Sequence, residues 1–533
     1  MKVVFIGATC EVTGSCTYIE IANKHYIVDY GMRQGKITFD YAELPVKPSQ
    51  LDGVFLTHAH IDHSGMLPKL YKEGFRGPIY STDATENLCN ILLKDSAHIQ
   101  ETEAEWKNRK NTRSAHLLVE PEYTMDDAIA VMEQFVGYRY GEKIELSSEI
   151  SFRFGDVGHL LGSSFIELWL TENGVTKKIV FSGDVGNTDH PIICDPKPCD
   201  GCDYLVIEST YGNRLHKETV TENPLEELAG YFQRAFDRGG SVIIPSFAVG
   251  RTQELLYIIK GIKEKKLVKG HDHFPVYLDS PLAVEATNVF NSCDHSYFDE
   301  KMLALIARGI NPLLNDDLKF SISSEDSKMI NFIDTPKVII SSSGMCDAGR
   351  IRHHLKHNLW NSANIVLFVG YQAEGSLGRL ILDGKERVKL FGEEVAVRAE
   401  ICTMHGTSGH ADMNGLIDWI NKMKDKPETI FVNHGAEQSC KDFSETLNSL
   451  GYNAVCPYSG SEFDLVTKVL RLKEPKIYEK PVSIGGSRHE QLHGELLKEA
   501  NNLLTLAKSL KGTQNRDLIK LTDQIKQLLS RWR

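Results

Sequence analysis

The sequence predicts an α/β protein, and three observations carry that prediction. The first 31 residues run strand, turn, strand, turn, strand; most of the chain beyond them alternates short apolar runs with segments of helical period; and the polar, histidine-bearing stretches fall where apolar runs end. At 533 residues the chain has room for two or three domains with substantial cores. Its 41% apolar and 25% charged residues are those of an ordinary soluble globular protein. The opening apolar run is too short for a signal peptide, and no segment approaches the roughly 20 apolar residues of a membrane span. A cytoplasmic protein without membrane association is expected. Eleven cysteines, an odd number scattered over a large chain, fit reduced thiols better than a disulfide framework. A net charge of -12 argues against a surface coated for non-specific nucleic-acid binding, although two bound dications and a local basic cleft would supply the attraction that the total does not.

Taken in order, residues 3–6, 17–21 and 26–29 form a meander whose turns carry Gly14-Ser15 and Asn23-Lys24. Asp29 closes its third strand. Residues 52–56 are a short apolar run after a turn, and Thr57-His58-Ala59-His60-Ile61-Asp62-His63-Ser64-Gly65 follows as the loop at a strand end. Six residues, from His58 to His63, thus carry four candidate metal ligands. In an extended loop His58 and His60 point to one side, while Asp62 and His63 begin the next turn and reach a second position, a spacing suited to two cations. Imidazole nitrogens favour zinc and its first-row neighbours, and a carboxylate adds charge compensation.

Residues 66–74 and 83–106 read as helices around a strand at 79–81, and residues 107–113 as a basic, polar loop, either solvated or a phosphate-contacting rim. Strands at 150–154 and 165–170 flank Gly158-His159-Leu160-Leu161-Gly162, which places His159 at a sheet edge as a third imidazole for the first metal. Asp184 stands just past the apolar strand 178–181, where a carboxylate can bridge two cations about 3.5–4 Å apart. Cys194, Cys199 and Cys202 form a tight group with no fourth ligand nearby, so a structural metal there is disfavoured.

The His58-x-His60-x-Asp62-His63 signature resembles that of the metallo-β-lactamase superfamily. The resemblance implies an αβ/βα sandwich with a two-metal site at one sheet edge, and an aspartate at position 29 that buttresses the metal-binding histidines. Past the strand 204–207, Glu208-Ser209-Thr210-Tyr211-Gly212-Asn213-Arg214 resembles motif A of the β-CASP branch, whose members process nucleic acids. From there helix 222–238, strand 241–245, helix 251–263 and strand 274–279 suggest an inserted, open, mostly parallel α/β domain. Ser341-Ser342-Ser343-Gly344-Met345 and the stretch from Gly370 to Arg379 look like further β-CASP signatures at strand ends, suited to a sugar-phosphate backbone. Thr407-Ser408-Gly409-His410-Ala411-Asp412 and Asn433-His434-Gly435 look like motifs B and C, and histidine rather than valine at 434 matches the RNA-processing members.

The domain reading is therefore residues 1–208 for the first part of the metallo-β-lactamase domain, 209–397 for the β-CASP domain, 398–468 for the returning part, and 469–533 for a linker and C-terminal helices. Two apolar-periodic segments, at 492–510 and 518–528, read as a helical hairpin that packs on the chain's own core or serves a homodimer or partner. By position in the motifs, the resemblance implies two Zn2+ per chain. His58, His60 and His159 would hold one, Asp62, His63 and His434 the other, and Asp184 would bridge. His410 would protonate the leaving oxygen, and Glu208 would orient it. Arg251, Ser343, Gln372, Arg379 and Ser408 would contact the substrate. The expected activity is zinc-dependent hydrolysis of RNA, endonucleolytic by preference, with 5′-to-3′ trimming as the other mode. The competing readings are a thioester or lactam hydrolase of the wider fold, which leaves the insert, Glu208 and His410 unexplained, and a catalytically silent RNA-binding scaffold, which has no need of seven ligands.

Overall fold

The structure is a computed structural model that describes residues 1–35, 37–111, 118–216, 223–404, 408–478, 496, 503 and 515–532. It divides into two compact units, Met1–Lys476 and Ile477–Arg533. In the second, the described element is the helix Asn515–Trp532. The other arm expected of a hairpin, at 492–510, lies outside the described residues apart from 496 and 503.

Two sheets face each other in the larger unit. One has eight strands, in the order Leu470–Arg471, Ser461–Asp464, Lys2–Gly7, Cys16–Ile21, Lys24–Val28, Gly53–Phe55, Ile79–Thr82, Phe135–Tyr138. The other has seven, in the order Ala454–Val455, Thr429–Val432, Tyr204–Ile207, Val175–Phe181, Ser164–Glu172, Ile150–Asp156, Lys143–Glu145. Side chains alternate across a strand, so Val3, Phe5, Ile19 and Phe55 point inward to meet Phe152, Ile166, Phe181 and Phe431 of the opposite sheet. Ring contacts cross the gap, Phe5 to Phe431 at 4.8 Å and Phe55 to Phe152 at 5.2 Å. The intervening residues Val4, Tyr18 and Val54 face outward onto Leu67, Leu88 and Leu93. On the other side Val180, Leu205 and Ile430 pack against Trp419, Phe443 and Leu447. The central strands, such as Lys2–Gly7, Tyr204–Ile207 and Thr429–Val432, are buried on both faces and so read as apolar runs, whereas Ile150–Asp156 keeps a clean alternation. The result is the four-layer αβ/βα sandwich.

A third sheet of six parallel strands is inserted after Tyr204–Ile207. Its order is Leu318–Phe320, Val276–Leu278, Val338–Ser341, Val242–Pro245, Ile365–Phe368, Glu400–Thr403. Parallel strands need covered faces. Ile244, Val276 and Ile340 pack against Phe232, Leu256 and Ile259 on one side. Ile243, Ile339 and Val366 pack against Ile351, Leu355 and Ile381 on the other.

Three expectations need correction. The helix Asp83–Asn111 runs through residues read as the start of a basic loop; ion pairs one turn apart, Glu103 with Lys107 and Glu105 with Arg109, carry it on. Residues 112 and 113 of that stretch are outside the described set. The strand Glu400–Thr403, read as part of the returning segment, hydrogen-bonds to Ile365–Phe368 as an edge of the inserted sheet. Leu470–Arg471, read as linker, pairs with Ser461–Asp464 and extends the first sheet.

Candidate metal centre and acid pair

The loop after Gly53–Phe55 turns into a single helical turn, Ile61–Ser64, and this tight geometry is what aims four side chains at one place. It is held from behind by close backbone contact. A Cβ built on Gly31 would lie 1.6 Å from the carbonyl oxygen of Asp62, so only glycine lets the two segments meet. Gly186 does the same beneath His159, where a Cβ would lie 1.8 Å from the Gly158 oxygen.

The donors fall into two groups. Nε2 of His58 and Nε2 of His159 lie 3.1 and 3.2 Å from Nδ1 of His60. Across from them, Nε2 of His63 lies 3.0 Å from Nε2 of His434, which is 3.7 Å from the Asp62 carboxylate. Asp184 stands between the groups with one oxygen turned to each. Its Oδ2 is 3.5 Å from His58 and 3.6 Å from His159, and its Oδ1 is 3.4 Å from both His63 and His434. That Oδ1 is buried and makes no hydrogen bond, a costly position for a carboxylate oxygen unless a cation satisfies it. Donor separations of 3.0 to 3.7 Å bracket the edge of roughly 3.3 Å expected around a small first-row cation with bonds near 2.0–2.1 Å. The residues therefore fit a pair of metal ions, one in each group, with Asp184 shared.

A further layer of contacts fixes the imidazoles. Nδ1 of His63 lies 2.7 Å from Asp29 Oδ2, which also accepts from the Thr57 hydroxyl at 2.9 Å, while Asp29 Oδ1 accepts from the Thr57 amide at 2.8 Å. Nδ1 of His58 lies 3.0 Å from the Thr57 hydroxyl, and Nδ1 of His159 donates to the Gly409 carbonyl at 3.0 Å. Each contact commits the outer nitrogen and leaves Nε2 free to face inward. Burial lowers the pKa of His58, His60 and His159, His60 to about 3, and the neighbouring imidazoles lower them further. These three are thus neutral, the form that ligates. At His63 and His434 burial works the same way, but the Asp184 carboxylate, with Asp29 at His63 and Asp62 at His434, outweighs it and raises both. Asp184 is itself held well below the usual carboxylate range, because His434, His63 and His58 outweigh the cost of its burial.

His410 arrives beside this centre through a short antiparallel bridge to Gly186, with Ala411 N donating to Val185 O. Its Nδ1 is 3.1 Å from Glu208 Oε1 and 3.9 Å from Asp184 Oδ2. Glu208 is buried, accepting also from the amides of Val185 at 2.6 Å and Thr210 at 3.2 Å. Burial pulls the His410 pKa down, yet Glu208 and Asp184 push it up to about 9. The imidazole is therefore protonated at neutral pH, with its ring still partly open to solvent.

The residues read as substrate contacts do not all fit that role. The Arg251 guanidinium is paired with Glu254, itself beside His190, so its charge is used within the fold and not offered to a phosphate. Gln372 is buried, and its amide donates to the carbonyls of Gly344, Gly370 and Tyr371; it ties two loops together. Arg379 is half-exposed and pairs with Asp383 one turn on. Ser343 bonds the Ala348 backbone, and the Ser408 hydroxyl accepts from the His410 amide at 3.3 Å. The Cys194 thiol turns away to the Phe298 carbonyl while Cys199 and Cys202 pack in the core, so those three do not converge on a metal. Three supporting residues escape a reading of the sequence: Thr57, Thr210 beside His434, and His216, whose Nε2 donates to the His410 carbonyl. Of these Thr57 alone sits inside the histidine signature.

Two donor sets joined by one carboxylate, at the edge of a helix-flanked double sheet, are those of a metal-dependent hydrolase. Comparison with known proteins narrows the class. Family models match residues 11–138 as the metallo-β-lactamase superfamily, 252–381 as the β-CASP domain and 394–457 as a Zn-dependent metallo-hydrolase RNA specificity domain. Ribonuclease TTHA0252 of Thermus thermophilus is 36% identical over 444 residues, which cover 82% of this chain and 94% of that protein. Transcription termination factor FttA of Methanocaldococcus jannaschii is 31% identical over 462 residues, covering 84% of this chain and 69% of that protein. A crystal structure of a protein of unknown function from Enterococcus faecalis shares the fold, with a TM-score of 0.50 at 14% identity, over 88% of this chain and 99% of that one. The chain belongs to the β-CASP family of the metallo-β-lactamase superfamily.

Proposed function

We propose that the chain is a zinc-dependent ribonuclease that hydrolyses phosphodiester bonds within RNA. The observation that carries this reading is the placement of the acid pair: a protonated imidazole backed by a buried carboxylate stands 3.9 Å from the carboxylate that joins the two donor sets. His58, His60 and His159 would hold one ion, Asp62, His63 and His434 the other, and Asp184 both. Bound there, two zinc ions supply a hydroxide at neutral pH and offset charge on the scissile phosphate. His410 protonates the departing 3′-oxygen; Glu208 holds the ring in place and keeps its proton on until it is needed. Asp29 fixes the tautomer of His63. A thioester or lactam substrate gives Glu208 and His410 no task, and a silent scaffold gives none to a complete donor set. The RNA specificity domain matched at 394–457 and the ribonuclease named among the relatives support RNA as the substrate.

Internal cutting is preferred because Ser341-Ser342-Ser343-Gly344-Met345 resembles the segment of endonucleolytic β-CASP members. Ser343, Arg379 and Ser408 are the side chains proposed to meet the RNA backbone. The test is a circular RNA incubated with the protein and zinc, beside a linear 5′-monophosphate RNA. Linearised circles, with no cleavage once a chelator is added, are expected. Intact circles beside a linear RNA reduced to mononucleotides would overturn the internal mode in favour of 5′-to-3′ trimming.

A further inference from the structure

Cys10, Cys440 and Cys456 form a second cluster of soft donors, on the far side of the His434 loop. Their three sulfurs lie within 4.8 Å of one another, and those of Cys10 and Cys456 are 3.3 Å apart. That distance is far beyond a disulfide bond of about 2.05 Å, and all three are thiols. The residues come from remote parts of the chain: Cys10 from the loop after the first strand, Cys440 from the first turns of the helix Glu437–Ser449, and Cys456 from just past the strand Ala454–Val455. Packing as three small apolar groups would account for their burial. It does not account for the convergence of three sulfurs from segments so far apart in the chain; around them the Cys440 thiol donates to the Gly435 carbonyl at 3.3 Å, and the Ser209 hydroxyl, 3.1 Å from the same sulfur, has the Asn433 carbonyl as its nearer acceptor at 2.9 Å.

We infer that Cys10, Cys440 and Cys456 form a thiolate site for a soft or borderline d10 cation such as zinc, separate from the histidine-carboxylate centre. Three cysteine sulfurs fill three positions of a four-coordinate site, and sulfurs bonded at about 2.3 Å to one tetrahedral ion stand about 3.8 Å apart, a spacing these three, unlike Cys194, Cys199 and Cys202, converge closely enough to reach. Cys10 and Cys440 are buried while Cys456 is partly exposed, which leaves a way in for the ion and a position for solvent as the remaining ligand. On binding, the three thiols give up their protons to solvent as sulfur-metal bonds form. The site is coupled by backbone to the catalytic loop: His434 N donates to Ala8 O at 2.8 Å and Gly435 N to Glu11 O at 3.1 Å. Filling the site would therefore cross-link the two segments that carry His434, without touching its imidazole.

Cobalt(II) tests this directly, because thiolate-to-cobalt charge-transfer absorption cannot arise from the nitrogen and oxygen donors of the other centre. Full-length protein is stripped of metal, kept reduced with a phosphine and titrated with Co2+ alone. The expected result is a charge-transfer band, with proton release, whose final intensity is that of one thiolate-bound cobalt per chain, reached by three equivalents in the wild type and kept in His58→Ala and Cys199→Ser. It should be lost in Cys456→Ser and in Cys10→Ser. The wild-type titration stands even where a variant folds poorly. The proposal is overturned if no thiolate band forms while the histidine centre fills, or if the band persists in Cys456→Ser. It is equally overturned if protein not treated with phosphine carries a Cys10–Cys456 disulfide, two hydrogens lighter by mass, and takes up no ion there on reduction.

Discussion

Replacing Glu208 with glutamine removes a charge and keeps the shape. The Oε1 atom accepts from both His410 Nδ1 and the Val185 amide, and Oε2 accepts from the Thr210 amide. An amide can keep the first two contacts only by turning its NH2 toward Thr210 N–H, donor against donor. The charge term is the larger. Exchanging a charge-assisted hydrogen bond for a neutral one loses about 1–1.5 kcal/mol, and removing a unit charge 4 Å away at an effective dielectric of 20 loses up to about 4 kcal/mol. At 1.36 kcal/mol per unit these bounds correspond to a fall of roughly one to three units in the His410 pKa. The sign follows from the role. His410 acts as an acid only while protonated, so activity is present below its pKa and lost above it; the pKa of about 9 places that loss on the alkaline side. Bound cations lower the value in both proteins, and the difference between them remains. In kcat/KM measured against pH, Glu208→Gln should move the alkaline limb down by one unit or more, with a rate at low pH within about tenfold of the wild type. An alkaline limb at the same pH, with the whole profile merely scaled down, would refute the coupling of these two residues.

His410→Ala should retain both metals and RNA affinity while losing about 10²–10⁴ in single-turnover rate; cleavage at the wild-type rate would remove His410 from the mechanism. Asp29→Asn, which must leave either His63 or the Thr57 amide without an acceptor, should weaken binding of one metal equivalent by about 10- to 100-fold in a chelator competition. Gly31→Ala, whose new methyl would press on the Asp62 carbonyl, should lose metal and lower the melting temperature together, a pairing that fluorimetry on loaded and stripped protein resolves. Arg251→Ala should leave RNA affinity nearly unchanged and reduce stability instead, since its guanidinium serves Glu254; a large drop in affinity with normal stability would restore its role at the phosphate.

Most of the candidate site is legible in the chain because its chemistry is concentrated. His58, His60, Asp62 and His63 share one hexapeptide, and Asp184, Glu208 and His434 each follow an apolar strand that announces a sheet edge. The central strands of the sandwich are legible for the same reason, since burial on both faces demands continuous apolar runs. What cannot be read is long-range. Glu400–Thr403 has the pattern of any buried strand, and its place beside Ile365–Phe368 depends on register between sheets, not on its residues. Arg251 and Gln372 look like ligand contacts because basic and amide side chains at strand ends often are; Glu254 and three backbone carbonyls claim them first. The cysteine cluster joins residues up to 446 positions apart, and nothing near any one of them in sequence marks it.

The order in which the proposed ligands leave the ribosome follows from the strand order of the seven-stranded sheet. Tyr204–Ile207 lies between Val175–Phe181 and Thr429–Val432, and the inserted sheet is made in the interval. A nascent chain therefore presents His58 to Asp184 about 250 residues before His434. At a synthesis rate of about 5–20 residues per second, that is a delay of roughly 12–50 s. Throughout it the proposed second ion lacks His434, and for most of it His410 has not been made either. A nuclease wired in this way is inert until the strands made after its inserted sheet have closed the sandwich.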